Sequence, residues 1–300
     1  MTTPAQAAVL VSLAADALSL GAHWIYDTAE IDRRFGRVEG LLAPPPDSFH
    51  AGKERGAFTH YGDQALVLLE SVAACRGFAA DDFARRWQDL FTSDDRGYVD
   101  KATSTTLENR QRGLAPEQCG STSADLGGGA RIAPLVWWYR QDRDELLEAV
   151  RVQTAMTHNN PAVLAGAAFI ARTAWLVLEG AAPQTAMEAA LEEGVADIDL
   201  DIRLRTALES AGKDTRTVIG RFGQMCGIAS ALPGSVHLIS TYADDPKTAL
   251  IENVMAGGDS AARGLVTGLV LGARHGVDAI PDAWLTGMRH YDRLLELLEA

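Results

Sequence analysis

Residues 264–273 read GLVTGLVLGA, and residues 162–171 read AVLAGAAFIA. Both are apolar stretches of helical period interrupted by glycine and alanine. Such small side chains let helices approach closely around a compact centre rather than stand apart as a wide bundle. The same period runs through most of the chain. It predicts helices over 4–20, 63–74, 81–91, 144–155, 161–178, 183–193, 199–210, 215–232, 246–255, 259–273 and 281–298. Several of these begin at Asp or Pro, which suit the first turn of a helix. Strand-like alternation is nearly absent, and SVHLIST at 235–241 reads more readily as the start of a helix than as a strand. The fold expected is all-α, with residues 1–300 forming one domain, since the chain has no linker, low-complexity tract or fixed-period repeat. The longest loops fall at 28–61 and 115–129, and long loops in a compact domain commonly bind or cover a ligand.

The 300 residues are 47% hydrophobic and 22% charged, with a net charge of −13. That balance describes a globular chain and argues against a broad basic surface for nucleic acid. An anionic ligand would have to be held locally. The opening MTTPAQAAVLVSLAADALSLGAHW lacks a basic leader and carries Asp16, so it reads as a buried helix, not a signal. The run after Pro161 contains Arg172, and 264–273 is too short to span a bilayer. No membrane partner is expected. Three cysteines without metal-knuckle or redox spacing suit a reducing cytoplasm.

Five segments concentrate polar chemistry where a helix needs little of it. Asp16 projects from an apolar helix and must find a partner, with His23, Trp24 and Tyr26 at that helix's exit. HYGDQ places His60, Tyr61, Gly62, Asp63 and Gln64 together; Asp63 reads as the helix cap, but a cap needs only one oxygen. STSADLGGGARIAPL brings Asp125, Gly127, Gly128, Gly129 and Arg131 into a glycine-rich turn before a helix expected near Ala130, a generic anion cradle. MTHNNP carries His158 and Asn159 beside Asn160, the expected cap ahead of Pro161. AGGDSAARG sets Asp259 and Ser260 at the head of an apolar helix. The acidic runs DDRGYVD at 94–100 and ADD at 243–245 read as solvated turns. The histidines never pair at i, i+4, which leaves a zinc-protease site unsupported.

In this order the five segments resemble the ADP-ribosylglycohydrolase family, in particular the divergent branch that includes the J1 crystallins. ADALSLGAHW stands for its Gly-Asp-Ala-Leu-Gly-like motif, HYGDQ for Thr-Asp-Asp-Thr-Gln, GGGARIAPL for the glycine-rich segment, MTHNNP for the Thr-His motif and GGDSAA for Gly-Gly-Asp-x-Asp. The resemblance covers nearly the whole chain. It implies an all-helical hydrolase whose second and last motifs ligate a magnesium pair beside the ribose. Here His60, Tyr61 and Gly62 stand at Thr-Asp-Asp, and Ala261 replaces the second Asp of the last motif. Asp63 and Asp259 remain, which implies one Mg²⁺ on those two carboxylates or no metal.

The resemblance further implies Asp63, His60 and Asp259 as catalytic residues. Gly127–Gly129 and Arg131 would hold the pyrophosphate, and His158 with Trp24 or Tyr26 the terminal ribose or adenine. Asp16, His23, Tyr61, Gln64, Asp125, Asn159 and Ser260 would complete a binding site for ADP-ribose or an ADP-ribosylated substrate. Imidazole titrates near neutrality, so His60 offers an acid or base that needs no metal. The competing expectation is a non-catalytic ADP-ribose-binding or crystallin-like descendant.

Overall fold

The computed structural model describes residues 2–93 and 97–300. Along the chain run α1 (Pro4–Ser19), α2 (Thr28–Phe35), α3 (His60–Cys75), α4 (Ala80–Thr92), α5 (Lys101–Gln111), α6 (Gly127–Ala130), α7 (Ala133–Trp138), α8 (Arg143–Ala155) and α9 (Pro161–Leu178). They are followed by α10 (Pro183–Glu192), α11 (Ile198–Leu208), α12 (Thr215–Phe222), α13 (Ile228–Thr241), α14 (Pro246–Met255), α15 (Ser260–His275), α16 (Asp282–Leu285) and α17 (Tyr291–Leu298). Among the described residues β pairing is limited to isolated bridges, Ser121 with His158 and Asp125 with Gly227. The protein is all-α.

The helices α1 and α15 lie side by side at the centre, each buried almost end to end. Gly268 makes this contact: a Cβ there would stand 2.6 Å from the Val11 carbonyl oxygen. Ser12 on α1 donates its hydroxyl to the Leu265 carbonyl of α15 at 2.8 Å, so the close pair is polar as well as apolar. Around it a continuous core takes in Leu68, Trp87, Leu135, Phe169, Leu232, Leu250 and Leu294 from helices throughout the chain.

Among the described residues one helix, α9, is long and apolar enough to cross a membrane, with a mean hydropathy of 1.7, and most of it is buried in this core. Its Arg172 donates to the Gly194 carbonyl at 2.7 Å.

Helix boundaries depart from expectation where local chemistry is weak or a single residue intervenes. In α2 the only buried side chain is Ile31, and α5 is the polar KATSTTLENRQ, so neither shows an apolar stripe. Both are started by aspartate caps, Asp27 and Asp100. The stretch expected as one helix over 215–232 is broken at Gly223, which has a φ of 100°. α13 then runs through Pro233. Proline removes the bond to the carbonyl four residues back, and Arg203 approaches that Ala229 oxygen at 3.5 Å. The stretch 281–298 is divided into α16 and α17 around a loop in which Arg289 donates to the Gly56 carbonyl at 2.9 Å. Cys75, Cys119 and Cys226 are free thiols.

Candidate active site

The end of α1 and the starts of α3 and α15 bring Asp16, Asp63 and Asp259 into one polar region. Asp16 is completely buried and joins α1 to α3: Oδ2 accepts from the Thr59 backbone N–H at 2.7 Å and Oδ1 from its hydroxyl at 2.6 Å. Thr59, not Asp63, is the cap of α3, its hydroxyl accepting from the Tyr61 N–H. The hydroxyl at position 59 takes the capping role because Asp63 lies a full turn inside the helix. Gly62 is required by the same packing, since a Cβ there would collide with Asp16 Oδ2. Burial raises the Asp16 carboxyl to about 6 against the two Thr59 hydrogen bonds.

Asp259 caps α15, its Oδ1 accepting from the Ala262 N–H at 3.1 Å. Oδ2 accepts the Tyr61 hydroxyl at 3.0 Å, and His23 Nδ1 lies 3.8 Å from Oδ1. The preceding Gly257 and Gly258 have φ of 73° and 67°, and a Cβ on Gly258 would collide with the Gln224 carbonyl oxygen. Only glycine fits this turn. Burial raises Asp259 and lifts the Tyr61 hydroxyl well above its ordinary range, while it drives His23 well below its own.

A second layer comes from loops. His50 Nε2 and His60 Nδ1 are 3.1 Å apart, and His60 Nε2 lies 3.5 Å from Asp100 Oδ2. Burial pushes the Asp100 carboxyl up, but His60 and the Thr103 amide outweigh it and hold the group below the usual range. Burial, then the neighbouring His60 and Lys53, lowers His50. Trp24 stacks on His23 with ring centres 4.5 Å apart and meets Phe49 and Tyr98 edge-on at 5.2 and 5.1 Å. Its φ of 64° is unusual for a residue with a side chain, and its N–H donates to the Gly258 carbonyl at 2.9 Å. A cavity of about 210 Å³ opens here, lined by His23, Trp24, Tyr26, Arg34, Asp47 and Phe49. Phe49 at its rim is 64% exposed.

Several expected binding residues serve the interior instead. Arg131 is 1% exposed and donates to Gln153, Gln64 and Thr157 at 2.6, 2.7 and 2.6 Å, with burial lowering it to about 9. Its guanidinium is spent on the protein, so it does not hold a pyrophosphate. Gln64 Oε1 also accepts from Trp87, and its amide donates to the His60 carbonyl, which makes it an internal brace. Gly127, Gly128 and Gly129 are buried rather than open to an anion. A Cβ on Gly127 would meet the Tyr61 ring at 2.5 Å, and one on Gly128 the His158 ring at 2.8 Å. They form the short α6, which ends where the expected helix was to begin.

His158 accepts or donates at Thr157 Oγ1, 2.8 Å away, and leaves its buried Nε2 without a partner; burial lowers it to about 4. Asp125 lies half-buried beside Cys226, whose thiol burial pushes up first and the Asp125 hydrogen bond next. Asn159 is exposed, its N–H bonded to the Ser121 carbonyl, and Asn160 caps α9. Ser260 is buried with its hydroxyl unpartnered.

No local signal marks His50, Lys53, Tyr98 or Asp100 as site residues. Asp100 and Tyr98 belong to the run expected as a solvated turn, yet Asp100 caps α5 and faces His60. Asp94 and Asp95 of that run lie outside the described residues. In the other acidic run, Asp245 caps α14.

A sequence model of the ADP-ribosylglycohydrolase family matches residues 3–300. The chain belongs to that family. It is 22% identical to crystallin J1A of Tripedalia cystophora, covering 98% of this chain and 95% of the relative. It is 23% identical to the human ADP-ribosylhydrolase ARH3 over 89% and 84% of the two chains. A solved structure titled ADP-ribosylglycohydrolase-related protein complex superposes with a TM-score of 0.81 at 23% identity, covering 99% of this chain and 96% of that one. As an ADP-ribosylglycohydrolase-family protein, the chain has a hydrolase ancestry of glycohydrolase type.

Family members generally use a divalent metal, but the carboxylates of this ADP-ribosylglycohydrolase relative do not fit one. Magnesium needs several free hard oxygens in octahedral array. Asp16 gives both oxygens to Thr59, and Asp259 gives its two to Ala262 and Tyr61. Asp63 Oδ2 is held by the Lys53 ammonium at 2.5 Å. Tyr61 joins Asp259 while Lys53 joins Asp63, so the two expected ligands are turned to separate donors. Among the described residues no group of three His, Cys, Asp or Glu side chains is disposed to hold an ion.

Proposed function

We propose that the protein cleaves a glycosidic bond of an ADP-ribosyl group without a divalent metal. The observation that carries this reading is the placing of carboxylates about His60, with Asp100 Oδ2 3.5 Å from its Nε2 and Asp63 one turn along α3. His60, set between His50 and Asp100, offers the acid, whereas Asp63, paired with the Lys53 ammonium, offers the carboxylate. Cleavage at an anomeric carbon needs this division, one acid to protonate the departing group and one carboxylate to support positive charge at the ring while water attacks. Trp24, Phe49 and Tyr98 provide aromatic faces for adenine, and the cavity at Trp24 gives access from solvent. The free thiols suit a reducing cytoplasm.

The test is release of ADP-ribose from Arg-linked, Ser-linked and nucleic-acid-linked substrates, with and without chelator. Turnover unaffected by chelator is the expected result, and no turnover on any substrate would overturn the reading. The Tyr61–Asp259 hydrogen bond favours a second reading, a non-catalytic binder of ADP-ribose or a nucleotide, since it satisfies one of the family's reactive carboxylates internally. Inactivity with a rise in melting temperature on adding ADP-ribose would select that alternative.

A further inference from the structure

Lys53 sits in the loop before α3, outside any helix, and reaches inward to two oxygens. Its Nζ donates to Asp63 Oδ2 at 2.5 Å and to the Phe58 carbonyl at 2.7 Å, and both charged side chains are only 20% exposed. A carboxylate and a main-chain carbonyl are the hard oxygen donors a divalent cation takes. Asp16 feels the charges of both Asp63 and Lys53, so two carboxyls and one ammonium share a single electrostatic neighbourhood. The loop thus delivers to the half-buried Asp63 carboxylate a cation that is covalently part of the chain.

We infer that the Lys53 ammonium stands as a built-in counter-ion in the cation position beside Asp63, closing that position to divalent metal until the ammonium is removed. This deepens the metal-free reading proposed for the site and rests on it. Loss of an ordinary surface ion pair leaves two solvated side chains. Loss of Lys53 instead leaves the Asp63 oxygen and the Phe58 carbonyl open side by side. Lys53 is therefore a positioning residue for Asp63, fixing which oxygen of the carboxyl remains available.

The experiment is titration of Mn²⁺ into the full chain, without substrate, read by the electron paramagnetic resonance signal of the free ion. The wild type is expected to leave that signal undiminished, Lys53→Met to remove about one equivalent, and Lys53→Met with Asp63→Asn to restore the wild-type result. Sequestration of Mn²⁺ by the wild type would overturn the inference and needs no variant to detect. So would a Lys53→Met protein with wild-type helical circular dichroism that binds no ion; should that variant fail to fold, Lys53→Gln replaces it under the same criterion. Because no substrate is present, failure to hydrolyse ADP-ribosyl groups leaves this result standing, and failure here leaves turnover to be judged separately.

Discussion

Asp16 illustrates what a single buried carboxyl does to stability. Its pKa rises from 3.8 in the unfolded chain to about 6 in the folded one, so between those values the native state binds the extra proton. Stability from this group is therefore present at low pH and is lost as pH rises through that interval. About two units at 1.36 kcal/mol each set the scale near 3 kcal/mol. Asp16→Asn cannot ionise, so its unfolding free energy relative to wild type is expected to improve by up to about 3 kcal/mol between pH 4 and pH 7. Urea denaturation of both proteins across that range checks it, and a constant difference would contradict the linkage. The need for a partner was legible at Asp16 because a carboxylate on an apolar helix face cannot remain unsatisfied. The partner, Thr59, was not legible, because it lies 43 positions along the chain.

Among the elements, α1 and α15 were clear in outline because glycine and alanine within long apolar runs announce close packing. Their pairing came only with the fold. Gly268→Ala tests the contact: alanine gains up to about 1 kcal/mol of helix propensity, but its Cβ meets the Val11 carbonyl at 2.6 Å. Overpacking of this kind costs about 1–3 kcal/mol, so the urea midpoint is expected to fall. An unchanged or higher midpoint would show that the two helices yield without cost. The polar α2 and α5 were missed for the opposite reason, since neither carries enough apolar surface to show a period. Missing α5 concealed Asp100, whose role as cap puts it opposite His60.

At the scale of the whole molecule, the charge of −13 opposes any diphosphate ligand. Long-range repulsion is screened by salt, so ADP-ribose affinity, measured by calorimetry, is expected to rise from low to physiological ionic strength. A fall would mean that local cations such as Lys53 and Arg34 dominate the ligand's approach. By itself the sequence determined the all-helical class, the family resemblance and five segments dense in polar residues. Helical period and motif order are properties of neighbouring residues, and they survive without any knowledge of the fold. Tertiary structure alone decided that Arg131 braces the interior, that Gly127 and Gly128 of α6 make room for the Tyr61 and His158 rings, and that HYGDQ is capped from Thr59. It also brought His50, Lys53 and Asp100 to the start of α3, because the side chains that neutralise a buried charge are chosen by distance in space and not by position along the chain.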